Sequence, residues 1–283
     1  MIENICDMLN RAKKEKYGVG AFNFKEYSDL KAIIAAAAEC KSPAILMSTS
    51  SVAKFFGVKE LVYTFRGLCE DLDVPCALHL DHATDYDLIK KCIESGYTSV
   101  MIDASTKPLD ENIEITKRVV EIAKKHGVSV EAELGTIAGR EDNITAHETE
   151  FVDPETVGRF VKETSVDALA IAIGTVHGFY KKEPDLRFDL IEAVCGKTDI
   201  PLVMHGGSGL SEADFKKAIS CGISKVNVGT ELKHAFKTAL CEAAEKYSNT
   251  NTDPMEFLKP VREACKKIAA EKMAIFGCKG RVI

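Results

Sequence analysis

Eight short apolar runs alternate with longer amphipathic stretches along this chain of 283 residues. The short runs are almost continuously hydrophobic, as parallel strands are when both faces of their sheet are covered. Eight such strand–helix units predict a closed (β/α)8 TIM barrel, which we expect to form a single α/β domain over residues 1–283. The predicted strands are Gly18–Asn23, Ala44–Thr49, Cys76–Asp81, Ser99–Asp103, Ser129–Glu133, Ala168–Gly174, Pro201–His205 and Lys225–Val228.

The amphipathic stretches predict the outer helices of this barrel, and the last of them is an extra C-terminal helix. A doubly wound open sheet is the alternative fold, but it requires a glycine-rich dinucleotide loop after the first strand, and Gly20-Ala21-Phe22-Asn23 is not one. The longest irregular stretch, Gly135–Asp153, is expected to be a lid or to be disordered. The predicted helices are Ser28–Cys40, Lys59–Asp71, Tyr86–Ser95, Asn112–His126, Pro154–Lys162, Phe188–Val194, Glu212–Ser220, Leu232–Lys246 and Pro254–Phe276.

The composition argues against several classes of partner. The formal net charge is −6 and the basic residues are spread along the chain, so we expect no nucleic-acid partner. No apolar run reaches the roughly 18 residues that a membrane span needs, and the N-terminus lacks the features of a signal peptide. The ten Cys form no Cys-x-x-Cys pair, and most stand in apolar patterns. Reduced, buried thiols of this kind indicate a cytoplasmic protein.

Polar residues stand at or just after the ends of most predicted strands. The active site of a TIM barrel lies at the carboxyl ends of its strands. Three of these ends carry histidine, namely His82, His177 and His205. Because neutral imidazole is a good zinc ligand, three of them converging there would form a zinc site with one position open for substrate. The other polar residues at strand ends are Asn23, Thr49, Asp81, Asp103, Glu133 and Asn227.

Three carboxylates are expected close to these histidines. Asp81 directly precedes His82 and is a candidate general acid/base or a support for a metal ligand. Asp103 and Glu133 are candidates for the layer behind the ligands, where Glu133 would hydrogen-bond a ligand imidazole and fix its tautomer. The remaining histidines are interpreted as structural or solvated: His79, His126, His147 and His234.

Glycine-rich segments follow the seventh and eighth strands. In TIM barrels these two loops commonly form a phosphate site, with backbone N–H groups at a helix start directed at the anion. Ser208 and Thr230 would add hydroxyl donors, and a metal beside a phosphate site implies a phosphorylated carbonyl substrate. The segments are His205-Gly206-Gly207-Ser208-Gly209 and Asn227-Val228-Gly229-Thr230.

Other chemistries on the same barrel fit the sequence less well. A Schiff-base aldolase needs a desolvated Lys at a strand end, and Lys225 is interpreted as starting a strand, on the wrong face. A metal-dependent hydrolase usually carries a His-x-His pair on the first strand, where this chain has Phe22-Asn23-Phe24. A binding module without catalysis would leave the three histidines and Asp81 unexplained.

Taken together, the motifs resemble the class II, zinc-dependent ketose-bisphosphate aldolases, and the resemblance spans essentially the whole chain. The three histidine motifs, in this order and spacing, are its most specific part. The matching segments include Ala21-Phe22-Asn23, His79-Leu80-Asp81-His82, Met101-Ile102-Asp103, Val130-Glu131-Ala132-Glu133-Leu134-Gly135, Ala172-Ile173-Gly174-Thr175-Val176-His177-Gly178, His205-Gly206-Gly207-Ser208-Gly209 and Lys225-Val226-Asn227-Val228.

This resemblance implies roles for individual residues. His82, His177 and His205 would bind Zn²⁺, Asp81 would be the catalytic acid/base, and Glu141 would transfer a proton at C3. A monovalent cation, Na⁺ or K⁺, would be held near the phosphate by backbone oxygens around Val176, Gly178, Gly206 and Ser208. The dihydroxyacetone-phosphate half of the substrate would be bound by Gly178, Gly206, Gly207, Ser208, Asn227, Gly229 and Thr230.

The second half of the substrate would lie near Asn23 and Thr49. Arg281 matches a basic residue that, in some members of the family, reaches the distal phosphate bound by a neighbouring subunit. The resemblance therefore implies a homodimer or a homotetramer, with sugar phosphates as its small-molecule substrates.

The implied reaction is the reversible cleavage of tagatose 1,6-bisphosphate and/or fructose 1,6-bisphosphate to dihydroxyacetone phosphate and glyceraldehyde 3-phosphate. An aldolase for another ketose 1-phosphate is the alternative. Gly229 stands where many fructose-type members carry Asp or Asn, and Thr230-Glu231-Leu232-Lys233 resembles tagatose-type members. We therefore expect appreciable cleavage of tagatose bisphosphate.

Overall fold

Eight parallel strands close a barrel in the computed structural model, which describes residues 1–142, 144–180 and 184–282. The strands along the chain are β1 (Val19–Asn23), β2 (Ala44–Thr49), β3 (Cys76–Ala83), β4 (Ser99–Ile102), β5 (Ser129–Leu134), β6 (Ala138–Glu141), β7 (Ile144–Ala146), β8 (Ala168–Ile171), β9 (Val176–His177), β10 (Leu202–Met204) and β11 (Ile223–Val228). The barrel order is β1-β11-β10-β8-β5-β4-β3-β2, and β1 closes the ring against β11 with Val19 opposite Lys225. The predicted TIM barrel is confirmed.

The predicted helices are present, with ends that differ from the prediction by a few residues. The helices are α1 (Ile5–Glu15), α2 (Tyr27–Cys40), α3 (Ser50–Phe56), α4 (Val58–Cys69), α5 (Tyr86–Ser95), α6 (Leu109–His126), α7 (Pro154–Thr164), α8 (Phe188–Cys195), α9 (Glu212–Cys221), α10 (Thr230–Tyr247) and α11 (Pro254–Ile275). The C-terminal helix α11 packs across α2 and α10. Within the described ranges, no helix is long and apolar enough to cross a membrane.

Two helices, α1 and α3, were not predicted from the sequence. The first of them, α1, closes the amino-terminal end of the barrel. Helix α1 begins after Asn4, whose side chain accepts a hydrogen bond from the Asp7 N–H, and it buries one narrow apolar face. The Cys6 N–H donates to the Ser129 hydroxyl at the start of β5, 3.2 Å away. The active-site end of the barrel is therefore the opposite, open end.

The sixth predicted strand and the long loop before it differ from the prediction. The barrel strand β8 ends at Ile171 rather than Gly174, and His177 belongs to β9, which pairs with the hairpin β6–β7 in a separate three-stranded sheet. Gly139 faces His177 in this pairing, with φ of 113°, and a Cβ there would lie 2.4 Å from the His177 carbonyl oxygen. Only glycine permits so close an approach. The predicted irregular stretch thus contains the antiparallel hairpin β6–β7, and Asn143, between the two strands in the sequence, lies outside the described residues.

Candidate active site

The imidazoles of His82, His177 and His205 converge at the open end of the barrel. The ring centroids of His82 and His205 are 4.5 Å apart, and those of His82 and His177 are 4.9 Å apart. One nitrogen from each of the three rings lies within 4.8 Å of the other two. The closest approach is 2.7 Å, between His82 Nε2 and His205 Nδ1. The structure thus brings together three residues that stand far apart in the sequence.

A bulge in β3 directs two consecutive side chains into this site. Neighbouring residues of a regular strand point to opposite faces. Here the pairing of β3 with β4 shifts register between Leu80 and Ala83, and His82 has a φ of 45°. Bulges of this kind re-aim a side chain at the rim of a barrel. As a result, Asp81 and His82 both line the same pocket.

The histidine nitrogens that point away from the common centre meet carboxylates in two of the three cases. His82 Nδ1 lies 2.9 Å from Asp103 Oδ2, and His205 Nε2 lies 2.9 Å from Glu131 Oε1. Such carboxylates fix the tautomer of a metal-bound imidazole and leave the other nitrogen free to coordinate. The buried Nε2 atom of His177 has no hydrogen-bond partner in the described part of the chain. The donor set therefore fits a zinc ion with three nitrogen ligands.

Two asparagines hold the carboxylate of Asp81. Asn23 Nδ2 donates to Oδ2 over 2.8 Å, and Asn227 Nδ2 donates to Oδ1 over 3.2 Å. Asp81 is 1% exposed, and burial alone would raise its pKa. The electrostatic influence of His82, His205 and Lys225 outweighs burial and lowers the Asp81 pKa below its ordinary value. Asp81 is therefore an ionised, oriented acceptor at the edge of the site.

The sequence analysis expected Glu133 to hydrogen-bond a ligand imidazole, but the carboxylate bonded to His205 is Glu131. Glu133 Oε2 lies 3.5 Å from His205 Nδ1 and has no hydrogen-bond partner among the described residues, whereas Glu131 makes the bond to Nε2. Both glutamates point into the barrel because they are two residues apart on β5. Glu131 lies closer to the start of β5, where it faces His205 Nε2. Burial and the nearby Asp103 raise the Glu133 pKa well above its ordinary value.

Two buried polar residues inside the barrel, Glu131 and Lys225, were missed or misread by the sequence analysis. Lys225 is not at the start of its strand, because β11 begins at Ile223, and its fully buried ammonium contacts Glu131. His79 donates to or accepts from Ser99 Oγ over 2.8 Å. The signal was present in the sequence: Lys225 stands two residues before Asn227, as His79 does before Asp81. Residues at this spacing share one face of a strand.

Glu141 reaches the site from the hairpin, at the end of β6. Its side chain lines the same pocket as Asp81 and His82. Burial raises the Glu141 pKa, which the positive charges of His82, Lys25 and Lys233 partly oppose. Because β6 pairs with β9, this carboxylate is held on the strand next to His177. A carboxyl group with a raised pKa can deliver a proton at neutral pH.

The two glycine-rich loops line the other side of the pocket. Helix α10 begins at Thr230, two residues earlier than predicted, so the N–H groups of its first turn face the site. Gly206 has a φ of 69°, and a Cβ there would lie 2.5 Å from the Val176 carbonyl oxygen. The Tyr180 hydroxyl donates to the Gly206 carbonyl over 2.7 Å. The predicted residues that line the pocket are Asn23, Gly178, Gly206, Gly207, Ser208, Asn227, Gly229 and Thr230.

Thr49 and Arg281 were predicted to be site residues, but neither is among the described residues that line this pocket. Thr49 is 1% exposed, and its hydroxyl accepts a hydrogen bond from the Val52 N–H at the start of α3. Arg281 stacks on Tyr17 and approaches Glu15 at the closed end of the barrel. Arg281 therefore lies at the opposite end from the site of its own chain, and a role in a neighbouring subunit stays a prediction.

Comparison with known proteins agrees with this geometry. The family described as "Fructose-bisphosphate aldolase class-II" matches residues 3–281. A fructose-bisphosphate aldolase of Geobacillus stearothermophilus is 45% identical over 278 residues, covering 97% of this chain and 96% of the relative. The D-tagatose-1,6-bisphosphate aldolase subunit GatY of Klebsiella oxytoca is 38% identical and covers 98% of each chain. The crystal structure of the YdjI aldolase from Escherichia coli K12 superposes with a TM-score of 0.86 at 32% identity, over 100% of both chains. This chain therefore belongs to the class-II fructose-bisphosphate aldolase family, so that the predicted family and the predicted class of enzyme, an aldehyde-lyase, are confirmed.

Proposed function

We propose that this aldolase binds Zn²⁺ through His82, His177 and His205 and cleaves a ketose 1,6-bisphosphate between C3 and C4. The products are dihydroxyacetone phosphate and glyceraldehyde 3-phosphate, and the reaction is reversible. One observation carries the proposal: His82, His177, the oriented carboxylate of Asp81 and the glycine-rich loops line a single pocket, and one nitrogen of the buried His205 lies within 4.8 Å of a nitrogen of each of the other two histidines. This combination supports a carbonyl-activating centre, a base and an anion site within reach of one small substrate.

Protein side chains perform the proton transfers of this mechanism. Asp81 accepts the proton of the C4 hydroxyl, the C3–C4 bond breaks, and C4 leaves as the aldehyde carbon of glyceraldehyde 3-phosphate. The electron pair left at C3 is protonated by Glu141, which yields dihydroxyacetone phosphate. When bound, the metal supplies a Lewis acid that polarises the C2 carbonyl and stabilises the negative charge that develops there.

The phosphate of the dihydroxyacetone half binds between Gly178, the Gly206–Ser208 loop and the start of α10. Backbone N–H groups and the hydroxyls of Ser208 and Thr230 supply the donors. The Glu231 carboxylate accepts the Gly209 N–H over 3.0 Å and pairs with Lys272 over 2.9 Å, which anchors this loop to α11. A monovalent cation, Na⁺ or K⁺, is proposed at the backbone oxygens of Val176 and Gly206. Replacing K⁺ by a bulky organic cation in the assay then raises the KM for the bisphosphate.

The test of the proposed function is cleavage kinetics on several substrates in parallel. Zinc-loaded protein is assayed with fructose 1,6-bisphosphate, tagatose 1,6-bisphosphate and two ketose 1-phosphates, with the aldehyde product identified. We expect kcat/KM to be higher for a bisphosphate than for either monophosphate. Activity confined to ketose 1-phosphates would replace the proposed substrate by the alternative, and no cleavage of any of them would refute the function.

Substitution of Gly229 is expected to change the preference between the two bisphosphates. The backbone φ at Gly229 is −119°, a conformation that Asp can adopt. The added Cβ, however, would lie 2.8 Å from Asn23 Oδ1, so the Asn23 side chain must shift. We expect Gly229→Asp to lower kcat and to shift the kcat/KM ratio toward fructose bisphosphate, because the two substrates differ in one hydroxyl at C4. Gly229→Ala is the matched control, since it adds the same Cβ without the carboxylate. An equal ratio in both variants and the wild type would show that Gly229 does not set the preference.

Removal of the Glu141 carboxylate is expected to slow proton transfer more than substrate binding. In Glu141→Ala, exchange of the C3 proton of dihydroxyacetone phosphate with deuterium should fall by about 10²-fold, the scale of a general-acid contribution. The Kd for dihydroxyacetone phosphate should change much less, because the phosphate contacts stay in place. Glu148→Ala, an exposed glutamate on the same segment, is the control. Unchanged exchange in Glu141→Ala would remove this residue from the mechanism.

A homo-oligomeric, cytoplasmic enzyme is the remaining part of the proposal. Phe55 is 81% exposed and Tyr63 is 73% exposed, on the consecutive helices α3 and α4, and covering these rings would remove apolar area from water. We propose that a second copy of the chain covers them, and light scattering should then give the mass of a dimer or a tetramer. The ten cysteines are all free thiols, which supports a reducing compartment.

A further inference from the structure

We propose that Lys225 is a positioning residue that orients both the metal ligand His205 and the base Asp81 for the reaction proposed above. It acts on His205 through Glu131 and on Asp81 through Asn227. This role rests on the proposed function, but part of it concerns metal binding and is measurable without any substrate.

The first contact of Lys225 is with Glu131, across the interior of the barrel. Its Nζ lies 3.1 Å from Oε1 and 2.9 Å from Oε2 of Glu131, and both side chains are fully buried. A carboxylate paired with an ammonium only accepts hydrogen bonds. Since Glu131 Oε1 is 2.9 Å from His205 Nε2, the shared hydrogen belongs to Nε2. His205 Nδ1 is then left with its lone pair, and Nδ1 is the atom that faces His82.

The second contact of Lys225 fixes an amide that would otherwise be free to rotate. Lys225 Nζ donates to Asn227 Oδ1 over 2.8 Å. Because an ammonium has no acceptor, the oxygen of Asn227 must face it, and the NH₂ group must face the opposite way. That NH₂ group donates to Asp81 Oδ1 over 3.2 Å. By fixing the Asn227 amide, Lys225 ensures that Asp81 Oδ1 accepts a hydrogen bond from Asn227 Nδ2.

The pair Lys225–Glu131 is not needed to fill the barrel. Barrel interiors are usually packed with branched apolar side chains, and a buried ion pair is often no more stable than apolar residues of similar volume. The pair also does not provide a nucleophile, because Lys225 is not among the described residues that line the pocket. The ammonium supplies two directed hydrogen bonds. One leads through Glu131 to His205, and the other leads through Asn227 to Asp81.

The test compares Lys225→Met with the double variant Lys225→Met/Glu131→Gln. The single variant leaves Glu131 as an unpaired buried charge, so it will also be less stable. The double variant removes both charges, and its neutral amide can present either oxygen or NH₂ to His205, so the tautomer is no longer fixed. Lys237→Met, an exposed lysine on α10, is the matched control. Each protein is measured for Tm, for Zn²⁺ and Co²⁺ affinity after metal removal, and for kcat and KM.

We expect the double variant to fold with a Tm near that of the wild type while its metal affinity falls by about 10-fold to 100-fold. Its kcat should fall by at least about 10-fold with little change in KM, because Asn227 and Asp81 lose their fixed orientation. Wild-type metal affinity and kcat in the double variant would overturn the proposal and make the pair purely structural. Wild-type metal affinity in the folded double variant, even with a reduced kcat, would also overturn it. If the wild type cleaves no bisphosphate, the proposed function is refuted. The metal affinities of the variants still test whether Lys225 orients His205.

Discussion

Removal of metal is expected to reduce aldol cleavage to the background rate, and Zn²⁺ or Co²⁺ is expected to restore it. The three imidazoles of the site present nitrogens to a common centre, and the buried His177 Nε2 has no hydrogen-bond partner within residues 1–142, 144–180 and 184–282. The described residues that line this pocket include no Lys or Arg side chain that could stabilise negative charge at C2 instead. A Lewis acid contributes several kcal/mol to such a step, so the loss should exceed about 10³-fold.

The measurement uses dialysis against a chelator, followed by stepwise addition of metal. Chelator already saturated with zinc is the control for effects of the chelator itself. Metal should also raise the Tm of the protein, since a ligand that binds only the folded state stabilises it. Full activity in the metal-free protein, together with an imine trapped by borohydride, would contradict the metal mechanism in favour of a Schiff base.

Replacement of Asp81, the proposed base, is expected to have the second-largest effect. Asp81→Asn preserves the size of the side chain but removes its charge, and kcat should fall by about 10²-fold or more. The structure adds a second reason for a loss. Asp81 accepts from Asn23 and Asn227, so an NH₂ group at residue 81 would meet a donor on one side. Asn227 is held by Lys225, which leaves Asn23 as the amide that must rotate.

The exposed residue Asp87 on α5 provides the control, because Asp87→Asn makes the same change of charge away from the pocket. Zinc content and Tm of both variants should match the wild type. A near-normal kcat in Asp81→Asn would remove Asp81 from the chemistry. A lost zinc ion with a normal fold would instead make Asp81 a support of the metal site.

The order of strands and helices could be predicted from the sequence because it depends on local periodicity. Eight apolar runs separated by amphipathic stretches are sufficient to indicate a (β/α)8 barrel, and the barrel in turn places strand ends together. Histidines at three of those ends therefore predicted a common site without knowledge of any distance. Helices α1 and α3 were missed: α1 precedes the first strand–helix unit, and α3 has only seven residues and directly follows β2, before α4.

The direction of individual side chains at the site depended on the tertiary structure. Asp81 and His82 are adjacent, and simple alternation would send one of them away from the pocket. The bulge in β3, with φ of 45° at His82, turns both toward it. A register shift between strands arises from the pairing of β3 with β4, and no local pattern in β3 reveals it.

The sequence by itself determined the barrel, the three histidines, Asp81 and the glycine-rich loops, because these follow from strand periodicity and from residue chemistry at strand ends. Only the tertiary structure decided that Glu131 rather than Glu133 supports His205, and that Lys225 joins them. Glu131 and Lys225 are 94 residues apart, and their contact depends on the stagger of β5 relative to β11 around the closed barrel. That stagger is a property of the whole ring of strands, since it arises from the pairing of all eight.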